Sequence, residues 1–453
     1  MKKLTVKEIV EAINGKIMQD TQDDFIEYVQ YDSRMITEKN ENCLFFALNG
    51  EKVNGLNFVK QAFANGAKYA VVEEKPPNVH TSAGLIFVDN SLKAFGKLSR
   101  YYRDKFDIPF IGITGSVGKT TTKEFVANVL SEKFITHKST GNLNTLIGLP
   151  YSILQMDKSS EISVIEMGTN HFGEIKKMAE MLNPSFAVIT NVGESHVEFL
   201  ENIEGVFHEK TDLFKYSSSE TLKIFNGDNP LFEKYKHRAG FVSFGKNADN
   251  DFVIENIELK NGHFSFSLNK GEPESYRVRK VYSIFNNFKP NIYNSIPAII
   301  IAKKLGLSDE QIKEGLMKVQ DLDLRMEIKR NTKRDWLIIA DCYNSNPMSL
   351  RSGIEHFVAL QNSPKIAILG DMLELGAKSE EIHRQFGEDL KKSQIDRIIT
   401  IGKYAEYFRG AAHYSDVTEA LKREKFDFPQ NSAILIKGSR DIKLEKILER
   451  ITI

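Results

Sequence analysis

The sequence predicts an α/β protein of three domains, and three observations predict it. Its 453 residues exceed the roughly 250 to 300 that one hydrophobic core organises, which calls for two or three domains. Apolar runs of strand length alternate with helix-spaced segments along much of the chain, the mark of parallel strands joined by crossover helices. A glycine-rich segment stands between one such run and a helix, a context suited to phosphate.

Composition narrows the partners. The 61 Lys+Arg balance 61 Asp+Glu, so no global charge draws nucleic acid or an anionic membrane, and neither is expected as a partner. With 41% hydrophobic, 10% aromatic and 27% charged residues, the chain can pack ordinary cores and is not disordered. It opens with two lysines but no continuous apolar stretch, and no segment approaches the roughly 20 apolar residues of a membrane span, so neither a secretory signal nor membrane insertion is expected. Cys43 and Cys342 alone exclude a disulfide scaffold and fit a reducing, cytoplasmic location.

The elements follow in order. Residues 1–88 mix short strands, CLFFAL (43–48) and KYAVVEE (68–74), with helical stretches, as a small α/β domain would. A helix is expected from Asp89, capped by Asp89, Asn90 or Ser91, because Leu92, Phe95, Tyr102 and Phe106 recur at helical spacing. Residues 89–319 carry the buried-strand runs IPFIGITG (108–115), ISVIEMG (162–168) and FAVITNVG (186–193), then an antiparallel insertion from Phe252 to Val281 around an Asn261-Gly262 turn. Helical spacing returns at Ile292, Ile296, Ile299 and Ile300. Residues 320–453 repeat the alternation with WLIIAD (336–341), KIAILGD (365–371), RIITIG (397–402) and AILIKGS (433–439), a second doubly wound, Rossmann-like domain. The join is expected within 307–325.

The chemistry starts at GITGSVGKTTTKE (112–124). Gly115 and Gly118 let backbone amides turn onto an anion, the helix N-terminus adds partial positive charge, Lys119 can reach terminal phosphates, and Thr120 can ligate Mg2+. Ile113 stands where the first glycine of the strict phosphate-loop (P-loop) spacing belongs, leaving the GxxGKT core. The predicted nucleotide contacts are Thr114, Gly115, Ser116, Val117, Gly118, Lys119, Thr120 and Thr121. The bland alternative is a glycine-rich turn that merely opens a helix, and the loop alone leaves kinases, motors, switches and ligases open.

The run Thr120-Thr121-Thr122 after the lysine, preceded by Thr114-Gly115, resembles the Mur ligase family of ATP-dependent amide-forming enzymes. Further motifs match in order. IEMG with Glu166, TNVGESH with His196 and HEKTDLF with Lys210 are similar to the glutamate, histidine and carbamylated lysine that hold a second Mg2+ in the family. The resemblance implies that the three converge at strand ends, Glu166 and His196 past neighbouring strands; taken singly, each has a solvated or satisfied residue as its alternative. DCYNSNPMS (341–349), GDMLELG (370–376) and KGSR (437–440) resemble the branch that adds D-alanyl-D-alanine, and the DNPR motif of the branch adding the third peptide residue is missing.

By that resemblance Asp341 binds the ribose, Tyr343 lies near the adenine, and Asn344, Asn346 and Pro347 shape the dipeptide side, although Pro347 also suits a plain helix start. DSR (32–34) and FALNGEKVNG (46–55) resemble the UDP region, with Ser33 and Arg34 toward diphosphate, but Asn54, Gly55 and Leu56 replace the usual Asp-Gly-His. TGNLNTLIGLP (140–150) resembles the substrate loop through Asn142 and Asn144, with Thr145 for an Asn; NFKPNIYNS (287–295) keeps Asn294 for the nucleotide but has Pro290 for a His. Arg325 is a candidate phosphate clamp.

The resemblance spans nearly the whole chain. It implies a small N-terminal substrate domain, a central P-loop ATPase domain and a C-terminal Rossmann-like ligase domain, using ATP and Mg2+. The implied reaction joins D-alanyl-D-alanine to UDP-N-acetylmuramoyl-tripeptide through an acyl phosphate, in peptidoglycan precursor synthesis, with the chain a monomer that closes around its substrates. The alternatives are a sister ligase with another amine, such as a folate-polyglutamate enzyme, and an NTP-hydrolysing switch.

Overall fold

Three sheets, with a short pair of strands Leu4–Thr5 and Phe25–Ile26, frame the computed structural model, which describes residues 1–20, 25–37, 42–50, 53–77, 83–260, 262–270, 280–285, 288–320 and 322–452. The first sheet orders Lys16–Gln19, Gly84–Phe87, Ala67–Val72, Cys43–Phe46 and Tyr28–Gln30, parallel except at the Lys16–Gln19 edge. Cys43–Phe46 is buried at every position, which is why its sequence runs apolar without alternation.

The expected connecting helix is Ser91–Arg103, and Asn90 caps it by accepting from the Lys93 amide at 2.8 Å. Phe95 and Leu98 are fully buried on its inner face, each contributing about 2 kcal/mol of hydrophobic stabilisation. Tyr102 Oη accepts from the Lys2 amide at 2.7 Å and donates to the Met156 carbonyl at 2.9 Å, so the helix ties the start of the chain to the central sheet.

The central sheet runs Lys280–Ile284, His263–Lys270, Phe252–Lys260, Phe241–Gly245, Leu222–Asn226, Phe186–Ile189, Phe110–Thr114, Ile162–Glu166, Thr136–Lys138. It is parallel from Thr136–Lys138 as far as Phe252–Lys260, and the last two strands pair antiparallel, the expected insertion. Asn261 of the expected turn lies outside the described residues. One expectation is corrected: the strands leading to Glu166 and His196 are not neighbours, because Phe110–Thr114 pairs with both and separates them. The chain crosses to opposite sides of Phe110–Thr114, and such a switch in strand order opens a crevice at the carboxyl ends.

Helices Lys119–Leu130, Pro290–Lys304 and Asp309–Met317 cover one face of this sheet and share a buried cluster that includes Val126, Leu130, Ile296, Ile312 and Leu316. The expected join therefore begins with a helix of the central layer. The third sheet orders Glu327–Asn331, Trp336–Asp341, Ala433–Lys437, Lys365–Gly370, Arg397–Ile401 and Ala412–Tyr414, parallel except for the Glu327–Asn331 edge. One apolar cluster runs from Leu4 and Phe95 through Met167 and Leu182 to Ile339 and Leu435, so all three sheets share packed surface. Among the described residues no helix is long and apolar enough to cross a membrane.

Candidate active site

The carboxyl ends of the central and third sheets face one cavity of about 1380 Å³. That exceeds the several hundred Å³ a single small ligand needs. Its wall includes Ser116 to Thr121, Asn142, Asn144, Glu166, His196, Asn294, Arg325, Asp341, Tyr343, Asn344 and Asn346, most of the residues the sequence singles out.

The loop geometry explains the glycine at 118. Its φ is +80°, and a Cβ there would stand 2.2 Å from Asn294 Oδ1, so a side chain is excluded by both backbone and neighbour. Helix Lys119–Leu130 starts with no side-chain cap among the described residues, which leaves its first amides and its dipole to an anion. Lys119 Nζ donates to the Gly115 carbonyl at 3.0 Å. Burial pushes its pKa down and Arg325 adds repulsion, against the pull of Glu166 and Glu374; an anion beside it would favour the ammonium. Thr114 and Gly115 lie off the cavity wall, and Thr114 Oγ1 donates to the Met167 carbonyl at 2.8 Å, tying its strand to the next.

Glu166 ends its strand with Oε1 accepting from Asn144 Nδ2 at 2.9 Å, while Oε2 is buried with no hydrogen-bond partner among the described residues. His196 sits at a left-handed φ of 53° and its Nδ1 is 2.6 Å from Glu374 Oε2. Nδ1 thus lies against this carboxylate without a well-formed hydrogen bond among the described residues. The His196 contact holds the Glu374 carboxyl below the usual carboxylate range.

Lys210 is a second correction. It lies within helix Ile203–Lys215 rather than at a strand end, and it is off the cavity wall. It is 1% exposed; burial drives its pKa well below the ordinary lysine value, Lys119 pushes the same way and Glu209 opposes. Glu209 is already committed, accepting from the Gly173 amide at 2.6 Å and the Ile175 amide at 2.8 Å at the start of helix Glu174–Leu182. Among the described residues no three His, Cys, Asp or Glu side chains converge as a metal site. An unpartnered buried carboxylate oxygen on Glu166 nevertheless suits a hard divalent cation.

The third sheet contributes an aromatic and charged wall. The Arg325 guanidinium stacks 3.9 Å over the Tyr343 ring, a stabilising cation–π contact. Asp341 Oδ2 accepts from Lys437 Nζ at 2.7 Å, and Oδ1 accepts from the Met326 amide at 3.3 Å. Asn344 Oδ1 accepts from the Ser345 amide at 2.8 Å. Asn346 caps helix Pro347–Val358 by accepting from the Ser349 amide at 2.9 Å, and its Nδ2 donates to the Ser116 carbonyl at 3.3 Å, joining this helix to the phosphate loop. Pro347 is buried at the first helical position, which its fixed φ suits, and lies off the cavity wall.

Ser33 and Arg34 are not brought into this cavity. Ser33 Oγ donates to Gln61 Oε1 at 3.0 Å, and the exposed Arg34 fork is turned onto Asp32, Nε to Oδ1 at 2.9 Å and Nη2 to Oδ2 at 2.7 Å. Sequence reasoning missed Glu374 and Lys437 as individual residues; the motifs GDMLELG and KGSR that contain them were the available signal.

Models of the Mur ligase family match three stretches of the chain: its catalytic domain over residues 25–103, its middle domain over 113–302 and its glutamate ligase domain over 324–440. A UDP-N-acetylmuramoyl-tripeptide–D-alanyl-D-alanine ligase of Bacillus subtilis (strain 168) is 32% identical over 99% of this chain and 98% of its own length. Among solved structures, MurF from Acinetobacter baumannii superposes with a TM-score of 0.89 at 27% identity, covering 100% of this chain and 99% of its own. The MurF ligase from Thermotoga maritima in complex with ADP gives a TM-score of 0.82 at 26% identity over 94% of this chain and 97% of its own.

Proposed function

The chain belongs to the Mur ligase family, and from that premise we propose how its residues serve it as an ATP-dependent ligase that adds D-alanyl-D-alanine to UDP-N-acetylmuramoyl-tripeptide in peptidoglycan precursor synthesis. The observation that carries this is end-to-end similarity to ligases of that activity, together with one cavity walled by both the phosphate loop and the Asp341 segment. Neither alternative is favoured: the relatives most similar in sequence over the whole chain are named for one amine, and a bare NTP switch has no need of Glu166, His196 and Asp341 on one wall.

A carboxylate is a poor electrophile because its leaving group would be oxide. The peptide carboxylate oxygen therefore attacks the γ-phosphorus of ATP, ADP leaves, and an acyl phosphate forms. The amine of D-alanyl-D-alanine then attacks the acyl carbon and loses a proton, and phosphate departs with its bonding pair. Phosphoryl transfer asks mainly for positioning and for neutralised charge. The free amides at the start of helix Lys119–Leu130 cradle the phosphates, Lys119 balances their charge, and Arg325, braced on Tyr343, adds a second cation.

Ser116, Val117, Gly118, Thr120 and Thr121 complete the phosphate side, Asn294, Asp341 and Tyr343 the nucleoside side, and Asn142, Asn144, Asn344 and Asn346 the acceptor and dipeptide sides. Thr120, Glu166, His196 and Lys210 are the residues that would hold Mg2+, Lys210 as its carbamate. Bound Mg2+ would supply charge neutralisation between the γ-phosphate and the acceptor carboxylate. Burial lowers the pKa of the Lys210 amine, which favours the neutral form that takes up CO2. Division at residues 1–88, 89–319 and 320–453 assigns one domain to the UDP-sugar peptide through Ser33 and Arg34, one to the ATP phosphates, and one to adenosine with dipeptide. Closure of these domains would exclude water from the acyl phosphate. The chain acts as a monomer in this reading, and two free cysteines fit action in the cytoplasm.

The test is Mg2+-dependent ADP release with UDP-N-acetylmuramoyl-tripeptide as acceptor, comparing D-alanyl-D-alanine, single amino acids and no amine, with the product weighed by mass spectrometry. A pentapeptide product with the dipeptide alone is expected. Turnover with a single amino acid instead would move the chain to a sister ligase, and ADP release indifferent to acceptor and amine would mark a switch.

A further inference from the structure

Glu374 belongs to the loop after strand Lys365–Gly370 of the third sheet, yet its carboxylate meets a residue of the central domain. Its φ is +64°, a left-handed conformation that a non-glycine residue keeps only when its surroundings enforce it. The surroundings do so on both sides. The Met372 amide donates to His383 Nε2 at 3.0 Å and the Leu373 amide to Ser439 Oγ at 2.9 Å. Across the domain boundary the Glu198 amide donates to the Glu374 carbonyl at 3.2 Å.

The loop thus aims the Glu374 carboxylate at His196 Nδ1, 2.6 Å away. His196 is on the cavity wall and Glu374 is not, so the carboxylate stands behind the imidazole with respect to the cavity. A carboxylate facing Nδ1 selects the tautomer that carries its proton there, which leaves the Nε2 lone pair free, orients the ring and raises its basicity toward a cation.

We propose that Glu374 is a positioning residue for the ligase reaction, supplied by the third domain, that holds His196 with Nε2 available to a divalent cation. This rests on His196 being a cation ligand, and the experiment separates the two statements. The full-length chain with β,γ-methylene-ATP is titrated with Mn2+, free ion being followed by electron paramagnetic resonance and imidazole nitrogen coupling by spin-echo modulation. H196A should lose the nitrogen modulation and weaken Mn2+ binding. E374Q, which keeps size and loop shape, should weaken Mn2+ binding about 10- to 100-fold, as loss of such an outer partner does, and diminish the nitrogen modulation, with E374D recovering part of both. Parent-like Mn2+ affinity and modulation in E374Q, while H196A loses both, would overturn the role of Glu374 and leave His196 a ligand. Parent-like binding and modulation in H196A would remove the ligand assignment itself, and the proposal with it.

Discussion

Lys437 Nζ donates to Asp341 Oδ2 at 2.7 Å, with the lysine side chain fully buried, where two adjacent parallel strands of the third sheet end at the cavity. An ammonium without contact with water depends on its partner, and the partner is the carboxylate assigned to the nucleotide ribose. The pair therefore joins stability to binding. K437M, which leaves Asp341 without its countercharge, should lose about 3 kcal/mol of stability, the lower end for breaking a buried pair because Asp341 keeps some solvent contact. Urea unfolding measures it, and a variant as stable as the parent would remove the buried pair from the account.

Lys119→Ala should lower kcat about 100- to 1000-fold, the scale for removing one charge-stabilising donor, while leaving the circular dichroism spectrum unchanged. The side chain packs no core position and its ammonium turns back to the Gly115 carbonyl, so the fold survives its loss. Full activity in this variant would refute the phosphate role.

His383 supplies a pH dependence. It is fully buried, Nε2 accepts from the Met372 amide at 3.0 Å, and Nδ1 faces the Ser379 carbonyl at 2.6 Å, so the proton of the neutral ring belongs on Nδ1. Burial holds its pKa below the ordinary histidine value. As pH falls below about 6.5 the unfolded chain takes up the proton first, so this contribution is complete above that pH and is lost as pH drops toward the folded value, at up to about 1.4 kcal/mol per pH unit. H383Q removes the titration and should flatten the acid side of the stability curve by one proton's slope; superimposable slopes would count against it.

Both thiols should be silent in the native protein. Burial pushes Cys43 and Cys342 each up to about 12, so almost no thiolate exists near pH 8. Iodoacetamide should leave the folded chain at its starting mass and add two groups in urea. Rapid labelling of either cysteine in the native chain would contradict its burial.

Much of this was legible locally. The strand runs, the Asn90 cap and the phosphate loop came through because each is set by neighbours a few residues apart: apolar runs for buried strands, a side-chain oxygen for a helix start, a glycine where φ is positive. The expected strand-end place of Lys210 failed for the same reason. Its segment HEKTDLF carries a motif but no sign of distance from a strand, and only packing shows it inside helix Ile203–Lys215. Arg34 was read for its fork, and the fork closed on Asp32, two residues away.

By itself the sequence determined the α/β class, the most apolar strands of each sheet and the chemical character of the phosphate loop, since hydrogen bonding and backbone conformation within a short segment depend on that segment. The tertiary structure alone decided that Phe110–Thr114 separates the strands leading to Glu166 and His196, that Lys437 neutralises Asp341, and that Glu374 reaches His196 across two domains. Strand order, burial and charge pairing of this kind join residues far apart in the chain, and their energies exist only after desolvation and packing have brought those residues together.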